Sequence, residues 1–344
     1  GEWSGDNLTT GIAIIEGGKW SGDNIGKVTL NKGTWEGINK GDANVTEVDW
    51  NKDNAGTVEI NKGSWNGNNT GTATLTDVEW EGNNKNKVTV NSGSWVGSNE
   101  SAGEATLSGG EWTGDNSGTV KMNGGTWSGN NEAQGNATIE GGTWKGANAG
   151  IAYFNGGKWT GDNTETGKVT VTADGWTGNN TGAGTVIVKG ATWGGNNLGT
   201  GATLNFNEEA NWTGDNTGAN ATVKLDGASN WNGTNTGANL NLTLDGASVW
   251  TGYSNADDFT LNLNGNSVWK NTGASKIANF VGNNGVVDMS AANSGNITID
   301  SYSGNVTVLY EHSVLDEAGT QVTVNGGNFT VTSAMDNSAI TLVM

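Results

Sequence analysis

The residue types that usually carry chemistry are scarce in this chain. It has one histidine, His312, and no cysteine. A catalytic triad or a multi-histidine metal site needs more such side chains, so we interpret His312 as a surface turn residue. The acidic neighbours Glu208–Glu209 and Asp257–Asp258 would point to opposite faces of a strand. They are therefore weak candidates for the converging carboxylates of a polysaccharide-cleaving enzyme, which stays an alternative.

Six aspartates share one position in a repeated W-x-x-D-N pattern. Carboxylate oxygens are the ligands that Ca²⁺ prefers, so calcium ligation is an alternative interpretation of this pattern. The spacing of the aspartates is irregular, however, and the chain has no G-G-x-G-x-D run of the kind that binds calcium in rows. We therefore expect no metal site and no other cofactor. The six residues are Asp6, Asp23, Asp53, Asp115, Asp162 and Asp215.

The 17 tryptophans set the period of the chain, because they recur at intervals of 15, 17 or 19 residues. Every interval is odd, and every change between intervals is a step of two. Adding two residues to a β-strand leaves each side chain on its original face, whereas a helical repeat has no such constraint. Self-similarity at a short period is typical of a solenoid. The tryptophans lie at positions 3, 20, 35, 50, 65, 80, 95, 112, 127, 144, 159, 176, 193, 212, 231, 250 and 269.

One turn of the repeat reads WNGNNTGTATLTDVE from Trp65. Glycines stand two residues before and after the tryptophan, and Asn69 follows it by four. Ala73 and Leu75 then alternate with polar residues, which is the pattern of a half-buried strand. Each turn thus contains two short strands and two tight turns. The predicted fold class is an all-β, right-handed parallel β-solenoid of about 20 turns with an internal Trp stack.

The tryptophans and asparagines are the candidate site residues. The flanking glycines leave room for an indole, so we predict that the tryptophans stack inside the solenoid about 4.8 Å apart. Asparagine follows 15 of the 17 tryptophans, which predicts a hydrogen-bonded ladder at a turn. The alternatives are an exposed aromatic ladder that binds glycan rings and a polar binding stripe. The predicted stack contains Trp20, Trp35, Trp50, Trp65, Trp80, Trp95, Trp112 and Trp127, and the predicted ladder contains Asn24, Asn39, Asn54, Asn69, Asn84, Asn99, Asn116 and Asn131.

Longer turns arise in two ways. The 17-residue turns gain two residues between the asparagine and the second strand, as in 99–103. The 19-residue turns are predicted to lengthen the strand itself, because Leu240, Leu242 and Leu244 alternate in one of them.

After Trp269 the tryptophans stop, but short strands are predicted to continue to the last residue. Four aromatic residues, Phe280, Tyr302, Tyr310 and Phe329, are expected to take the place of tryptophan there. We therefore divide the chain into a Trp-repeat β-solenoid, 1–272, and a C-terminal solenoid end without Trp, 273–344.

The 344-residue chain carries 35 acidic and 16 basic side chains, for a formal net charge of −19. This charge repels phosphate backbones, so we expect no nucleic-acid partner. No run of 18 apolar residues is present, and we expect this segment not to span a membrane. Acidic side chains at outward positions, such as Glu59, Glu79 and Glu111, are scattered rather than clustered. We expect them to keep the molecule in solution.

The C-terminal stretch resembles a known family. VVDMSAANSGNITIDSYSGNVTVLY and GGNFTVTSA are similar to the last turns of the passenger regions of bacterial autotransporters, and the Gly-, Asn- and Thr-rich repeats resemble that family in style. The resemblance implies a β-solenoid displayed outside the cell, at the bacterial surface. The outer-membrane barrel of that family is not in this sequence, so the resemblance implies a fragment or a processed product.

The predicted function is that of a non-enzymatic extracellular structural or adhesive protein, an elongated rod. Its short turns leave no insertion to build a substrate cleft, and a solenoid offers extended surface instead. The expected partners are host or bacterial surface glycans or proteins, or further copies bound end-to-end or side-by-side. An ice-binding solenoid is the alternative, because threonines recur at one outward site, although Glu59, Lys121 and Tyr153 interrupt them. The row contains Thr29, Thr74, Thr89, Thr106, Thr138 and Thr170.

Overall fold

The computed structural model describes residues 1–291, 294–312, 324–325, 327–332 and 338–343. Over these residues all regular structure is β, and all strands but one short pair stack in parallel, which confirms an all-β parallel β-solenoid, with about 18 turns instead of about 20. The right-handed coil stays a prediction. The chain forms two compact units, Gly1–Gly161 (unit 1) and Asp162–Met344 (unit 2). The boundary expected at residue 272 marks the end of the tryptophans and stays a prediction. The described part of the chain has no helix of the length and apolarity needed to cross a membrane.

Unit 1 contains two strands in most turns, a long-side strand with alternating aliphatic residues and a Trp strand. In four consecutive turns the two merge into one element, β4 to β7. The strands of unit 1 are β1 (Glu2–Trp3), β2 (Ile12–Ile15), β3 (Lys19–Trp20), β4 (Lys27–Trp35), β5 (Asp42–Trp50), β6 (Thr57–Asn66), β7 (Thr72–Glu81), β8 (Lys87–Val90), β9 (Gly93–Val96), β10 (Glu104–Leu107), β11 (Glu111–Thr113), β12 (Thr119–Met122), β13 (Thr126–Trp127), β14 (Asn136–Ile139), β15 (Thr143–Trp144), β16 (Ile151–Phe154) and β17 (Lys158–Trp159).

Unit 2 begins with the same alternation and ends with longer strands. Its strands are β18 (Lys168–Val171), β19 (Thr185–Lys189), β20 (Thr192–Trp193), β21 (Thr203–Asn207), β22 (Asn211–Thr213), β23 (Thr222–Leu225), β24 (Asn230–Asn232), β25 (Asn241–Leu244), β26 (Val249–Gly252), β27 (Thr260–Asn264), β28 (Val268–Asn271), β29 (Ser275–Asp288), β30 (Ile297–Leu309), β31 (Glu311–His312), β32 (Val324–Asn325), β33 (Phe329–Val331) and β34 (Ala339–Val343).

Because the register between successive turns is constant, residues of the same type lie above one another and form a column. In unit 1, β5 and β6 pair in parallel so that Trp50 lies beside Trp65. The same pairing continues from β6 to β7, where Ile60 lies beside Leu75. Alternate side chains of each long-side strand are buried, as the period-2 pattern predicts. The core of a typical turn of unit 1 is therefore two apolar side chains of the long-side strand facing one indole, and Val48 and Val78 add a third in the turns of β5 and β7.

Sharp corners separate the long-side strand from the tryptophan. In β4 to β7 the corner residue has a left-handed backbone, with φ between 55° and 66°. This conformation costs a non-glycine residue about 1–2 kcal/mol. The corner lets the chain change direction while the flanking residues stay paired with the neighbouring turns. The corner residues are Lys32, Glu47, Lys62 and Asp77.

The 17-residue turns confirm that the extra pair enters after the asparagine. In a 15-residue turn the Asn39 Nδ2 donates to the carbonyl of Gly41, two residues later. In a 17-residue turn Asn99 donates to Gly103, four residues later. The two added residues bulge outward between these groups, and the following strand β10 keeps its register with β8.

The 19-residue turns lengthen the hydrogen-bonded strand by one residue at most, so that expectation is wrong for most of the added residues. Strands β23 and β25 have four residues each, as β8 does in unit 1, and β21 and β27 have five. The strand ends because the corner residues Gly227 and Ala228 both have positive φ, near 60°. The added residues enter the corner and the turn after the asparagine, where each turn places one further apolar side chain inside. These side chains are Ala202, Ala221, Leu240 and Phe259.

After Trp269 the Trp column continues as valine rather than as another aromatic residue. Trp269 pairs with Val287. Phe280 instead continues the long-side column of Leu261, and Tyr302 follows Phe280 with ring centroids 5.5 Å apart. The expectation that these two aromatic residues replace tryptophan is wrong, because they lie on the other inward side of the turn.

The C-terminal strands predicted from sequence are partly fused. The segments 276–280 and 286–290 fall largely in one 14-residue strand, β29, and 296–300 and 305–310 fall largely in β30. Strands β33 and β34 both pair in parallel with β30, and Phe329 lies beside Ile297 there. The backbone of His312 belongs to a short antiparallel pair, β31 with β32, and its side chain lies outside the described residues.

Candidate functional site

The tryptophans of unit 1 form one continuous interior stack. Consecutive ring centroids from Trp3 to Trp159 are 4.5–5.0 Å apart, and the ring planes differ by 5–11°. All eight tryptophans predicted to stack lie in it, and from Trp20 onward each is at most 1% exposed. Buried indoles cannot offer their faces to sugar rings, so the exposed glycan-binding ladder is excluded for these side chains.

From Trp20 to Trp159, each indole N–H donates to a main-chain carbonyl oxygen of the preceding turn. The Trp95 Nε1 donates to the carbonyl oxygen of Gly82, which lies two residues after the preceding tryptophan, at 2.8 Å. A Cβ on Gly82 would overlap the carbonyl oxygen of Gly67 in the turn below. Glycine recurs at this position because the backbones of successive turns approach closely here. The Trp65 Nε1 donates to the main-chain carbonyl oxygen of Lys52 at 2.9 Å, although Lys52 is not a glycine. The indole therefore needs the carbonyl and not the glycine itself.

Unit 2 has its own stack of six tryptophans, from Trp176 to Trp269. Consecutive centroids are 4.5–5.2 Å apart and the ring planes differ by 7–12°. Phe206 packs against this stack, 5.4 Å from the ring of Trp212 and 4° from parallel. The wider turns of unit 2 thus add a long-side aromatic residue to the same interior.

The asparagines of unit 1 form a second interior ladder. From Asn7 to Asn148 each side-chain amide donates to the Oδ1 of the next turn at 2.7–2.8 Å. The Nδ2 of Asn69 also reaches the carbonyl oxygens of Gly71 and Lys87. The eight predicted ladder residues all belong to this chain of hydrogen bonds and are fully buried. They have no exposed amide for a polar binding stripe.

The ladder of unit 2 ends in serine. It runs from Asn163 to Asn235, with amide-to-amide distances of 2.6–2.8 Å. The Asn235 Nδ2 then donates to the hydroxyl of Ser254 at 2.8 Å. A hydroxyl can accept this hydrogen bond, so the ladder extends one turn further, to a position where serine replaces asparagine.

A further ladder, which the sequence interpretation missed, lies one residue before the asparagines. Here an Asp or Asn side chain accepts a hydrogen bond from the main-chain N–H of the equivalent residue in the next turn, at 2.7–3.0 Å. The signal was available, because Asp or Asn recurs at this position in most turns. The accepting residues are Asp6, Asp23, Asp53, Asn68, Asn83, Asp115, Asn130, Asp162, Asn179, Asn196 and Asp215.

This outer ladder gives the six repeated aspartates a structural role in place of calcium ligation. Asp23 accepts from the Ile38 N–H at 2.9 Å and pairs with the Lys40 ammonium at 2.8 Å. The Lys40 hydrogen bond, and then that of Ile38, hold the pKa of Asp23 below its usual value. Within the described residues, no three His, Cys, Asp or Glu side chains gather as a metal site.

The two adjacent acidic pairs do not converge on a groove. Glu208 and Glu209 are exposed corner residues with left-handed backbones, φ 58° and 63°. Asp257 is exposed and lies 3.4 Å from the Lys276 ammonium. A different pair, Glu79 and Glu81, shares one outward side of β7 over a shallow depression of about 560 Å³. Their E-W-E spacing is the signal that places them on one face.

Outward threonines of unit 1 lie in register but not in an unbroken row. Thr74, Thr89 and Thr106 are neighbours in three successive turns. Glu59 precedes them and Lys121 follows them in the same column. The structure thus aligns the row that the sequence indicates and keeps its interruptions.

Comparison with family models, with curated proteins and with solved structures finds no match to this chain.

Proposed function

We propose that the protein is a non-enzymatic structural or adhesive protein of the bacterial cell surface. The observation that carries this proposal is the use of the tryptophans and asparagines. Such side chains can bind ligands when they are exposed, but here they are buried in the Trp stack and the Asn ladder, where they hold successive turns together. Most of what faces solvent is polar and charged side chains in fixed register, with exposed apolar residues such as Leu8, Ile12 and Ile14 among them.

The outward chemistry supports binding over catalysis. An acyl-transfer, glycosidase or metal site needs groups with different roles converging on one point. The acidic pairs lie on corners or along one open strand face. The neighbours of Glu79 in the adjoining turns are Ser64 and Ser94, and those of Glu81 are Asn66 and Val96. A repeated surface offers many similar weak contacts, which act together when several engage at once.

The extracellular bacterial location rests on the resemblance to autotransporter passenger regions. The absence of cysteine and the acidic, Gly-, Asn- and Thr-rich turns are in keeping with it. On this proposal the partners are surface glycans or proteins of a host or of other bacteria, or further copies of the chain. Self-association would use the same repeated faces.

An in-register deletion tests the distributed surface. Removing residues 51–95 takes out three complete turns of 15 residues and joins Trp50 to Val96. The remaining Trp and Asn columns keep their spacing, so we expect the shortened protein to fold. Its binding to bacterial cells, to immobilised glycans and to itself should fall by a fraction comparable to the surface removed.

The matched control removes one residue fewer, 51–94. This deletion shifts the strands by one position and moves inward side chains outward, so it should abolish folding. Complete loss of binding after a single outward substitution in unit 1, with the fold intact, would point to a discrete site and contradict the proposal. Release of reducing ends from a polysaccharide would favour the enzyme alternative.

A further inference from the structure

Five consecutive long-side strands of unit 2 carry little charge in two columns of their outward side, although Lys168 on β18 continues the first column and Lys189 lies at the outward end of β19. We name this surface the unit 2 polar face and define it by two columns of five residues on β19, β21, β23, β25 and β27. Nine of the ten side chains are uncharged, and the exception is Lys224. The first column is Thr185, Thr203, Thr222, Asn241 and Thr260, and the second is Ile187, Asn205, Lys224, Thr243 and Asn262.

The polar face is regular in two directions. Parallel strand pairing in constant register spaces the residues of one column about 4.8 Å apart, and the two columns are about 6.6 Å apart. Threonine has few χ1 rotamers, so its hydroxyl and methyl positions are well fixed. The Asn262 Nδ2 donates to the Asn241 Oδ1 at 3.2 Å, which ties neighbouring strands together. The result is a lattice of hydroxyl, amide and methyl groups.

The chemistry of this lattice argues against the common kinds of partner. Protein interfaces are enriched at their centres in aromatic residues, methionine and arginine, and the ten positions hold none of them. Sugar rings are usually held on aromatic side chains, which the ten positions also lack. A charged polymer would need an opposite charge, and the face offers one lysine that already pairs with Asp226 at 3.1 Å.

An ordered water lattice fits these observations. Ice presents hydrogen-bonding oxygens that repeat in two dimensions at spacings of the same order as those of the face. Hydroxyl and amide groups can hydrogen-bond to it, while methyl groups fill the spaces between them. We propose that the unit 2 polar face binds ice. This activity goes beyond the structural or adhesive role and does not depend on it.

Unit 1 provides the natural comparison. The equivalent first column there contains Lys27, Asp42, Lys87 and Glu104 among its threonines. Long charged side chains are mobile and strongly hydrated, so they break a surface lattice. The threonine row that the sequence indicates lies mostly in unit 1, where Glu59 and Lys121 interrupt it, so we assign ice binding to unit 2 instead.

The test measures thermal hysteresis and inhibition of ice recrystallisation with the full chain. The first variant, Thr222→Lys, places a charge at the centre of the polar face. Its matched control is Thr119→Lys, because Thr119 is exposed at the same strand position in unit 1. The reciprocal variant, Lys224→Thr, removes the one charge of the face.

We expect the unmodified protein to show a measurable hysteresis gap, T222K to lose most of it, T119K to keep it and K224T to widen it. The near-ultraviolet circular dichroism of the stacked tryptophans confirms that each variant is folded. Absence of both hysteresis and recrystallisation inhibition in the folded, unmodified protein would overturn the proposal. Equal losses in T222K and T119K would overturn its assignment to unit 2.

Discussion

In unit 1, glycine stands two residues before nine of the eleven tryptophans, whereas in unit 2 alanine, serine or aspartate holds that position. The difference follows from where each corner places its left-handed backbone. In the short turns of unit 1 positive φ often falls on this residue itself, as at Gly93 with φ 101°. In the longer corners of unit 2 it falls earlier, at Gly227 and Ala228, so the residue two before Trp231 can carry a side chain.

The side chain at this position then closes the corner in unit 2. The Ser229 hydroxyl donates to the carbonyl of Asp226 at 2.6 Å, and the Ser248 hydroxyl donates to Asp245 at the same distance. Unit 2 also places a third apolar long-side residue in each of its 19-residue turns. The two units therefore share their ladders but differ in how much of the core depends on tryptophan. Turn length and the choice of corner residue are coupled.

Removing one indole from each unit should produce the largest effect and the clearest contrast. The segment between Trp80 and Trp95 contributes two inward valines and a glycine, whereas the segment between Trp231 and Trp250 contributes three inward leucines. Each change to alanine should cost about 3–5 kcal/mol, with the larger loss in W95A, because less side chain remains to fill the space. Urea denaturation followed by far-ultraviolet circular dichroism measures both.

Solvent access to the indoles checks the premise of that comparison. The tryptophan fluorescence of the folded protein should be largely protected from acrylamide. Near-complete quenching of this fluorescence by acrylamide would show that the indoles are exposed to solvent. W95A and W250A would then have no reason to lose stability. Equal losses in W95A and W250A would show that the third leucine does not compensate.

A buried charge in the Asn ladder should cost about 3 kcal/mol at neutral pH. In N69D a carboxylate would face the Asn84 Oδ1 and the carbonyl oxygens of Gly71 and Lys87, which now accept from the amide. Burial raises the pKa of such a group, so stability should be lost as pH rises above about 4 and should return as the carboxyl is protonated in acid.

The adjacent residue supplies the control for this substitution. Asn68 lies in the outer ladder, where aspartate occurs in other turns, so N68D should change the urea midpoint little. A stability of N69D that does not depend on pH would contradict the buried ladder. Equal losses in N68D and N69D would remove the distinction between the two ladders.

Exchanging corner residues between the units should give an asymmetric result. In G93A the Cβ would overlap the carbonyl oxygen of Val78 and the backbone would stay left-handed, for a cost of about 2–4 kcal/mol. In A210G a buried methyl is lost and the chain gains flexibility, for about 1 kcal/mol. Thermal denaturation of both variants measures the difference. A larger loss in A210G would refute the coupling between corner and turn length.

The sequence predicts the columns well because register is a long-range regularity. Odd intervals between tryptophans require strands, and the constant Asn position requires a turn that repeats. Corners are harder to predict because their backbone angles depend on one or two residues. Glu47 adopts positive φ with no glycine or asparagine beside it to signal the corner, and Ala228 adopts it beside a single glycine, Gly227. The 19-residue turns were expected to lengthen the strand because such short signals do not show where a strand ends.

The outer ladder and the polar face show a second limit. Aspartate before asparagine suggests a cation ligand when each turn is considered alone. Its hydrogen bond to the next turn, as from Asp53 to the Asn68 N–H, appears only when successive turns are stacked. Likewise, the scarcity of charge beside Thr222 is evident only when the outward residues of five strands are aligned. Pairing between turns, rather than local pattern, determines both surfaces.

The smallest expected effect concerns acid, and it should not distinguish the units. Asp23 in unit 1 pairs with Lys40, and Asp226 in unit 2 pairs with Lys224. In each case the lysine and a main-chain N–H lower the pKa of the carboxyl in the folded state. The resulting stability is present above the unfolded pKa and is lost as pH falls through the folded pKa. Both carboxylates are open to solvent, so screening keeps the contribution small.

Replacing each aspartate with asparagine measures this contribution while keeping an acceptor oxygen for the main-chain N–H. Between about pH 5 and pH 2 the urea midpoints of D23N and D226N should fall slightly less than that of the unmodified protein. Added salt should reduce the difference, because exposed ion pairs are screened. Asn68 and Asn83 already accept the equivalent bond in other turns, so D23N should keep the outer ladder intact. A large acid effect in one unit alone would show that its ion pair contributes more to folding than an exposed pair can. The two units would then differ in the stability contributed by ion pairs as well as in core packing.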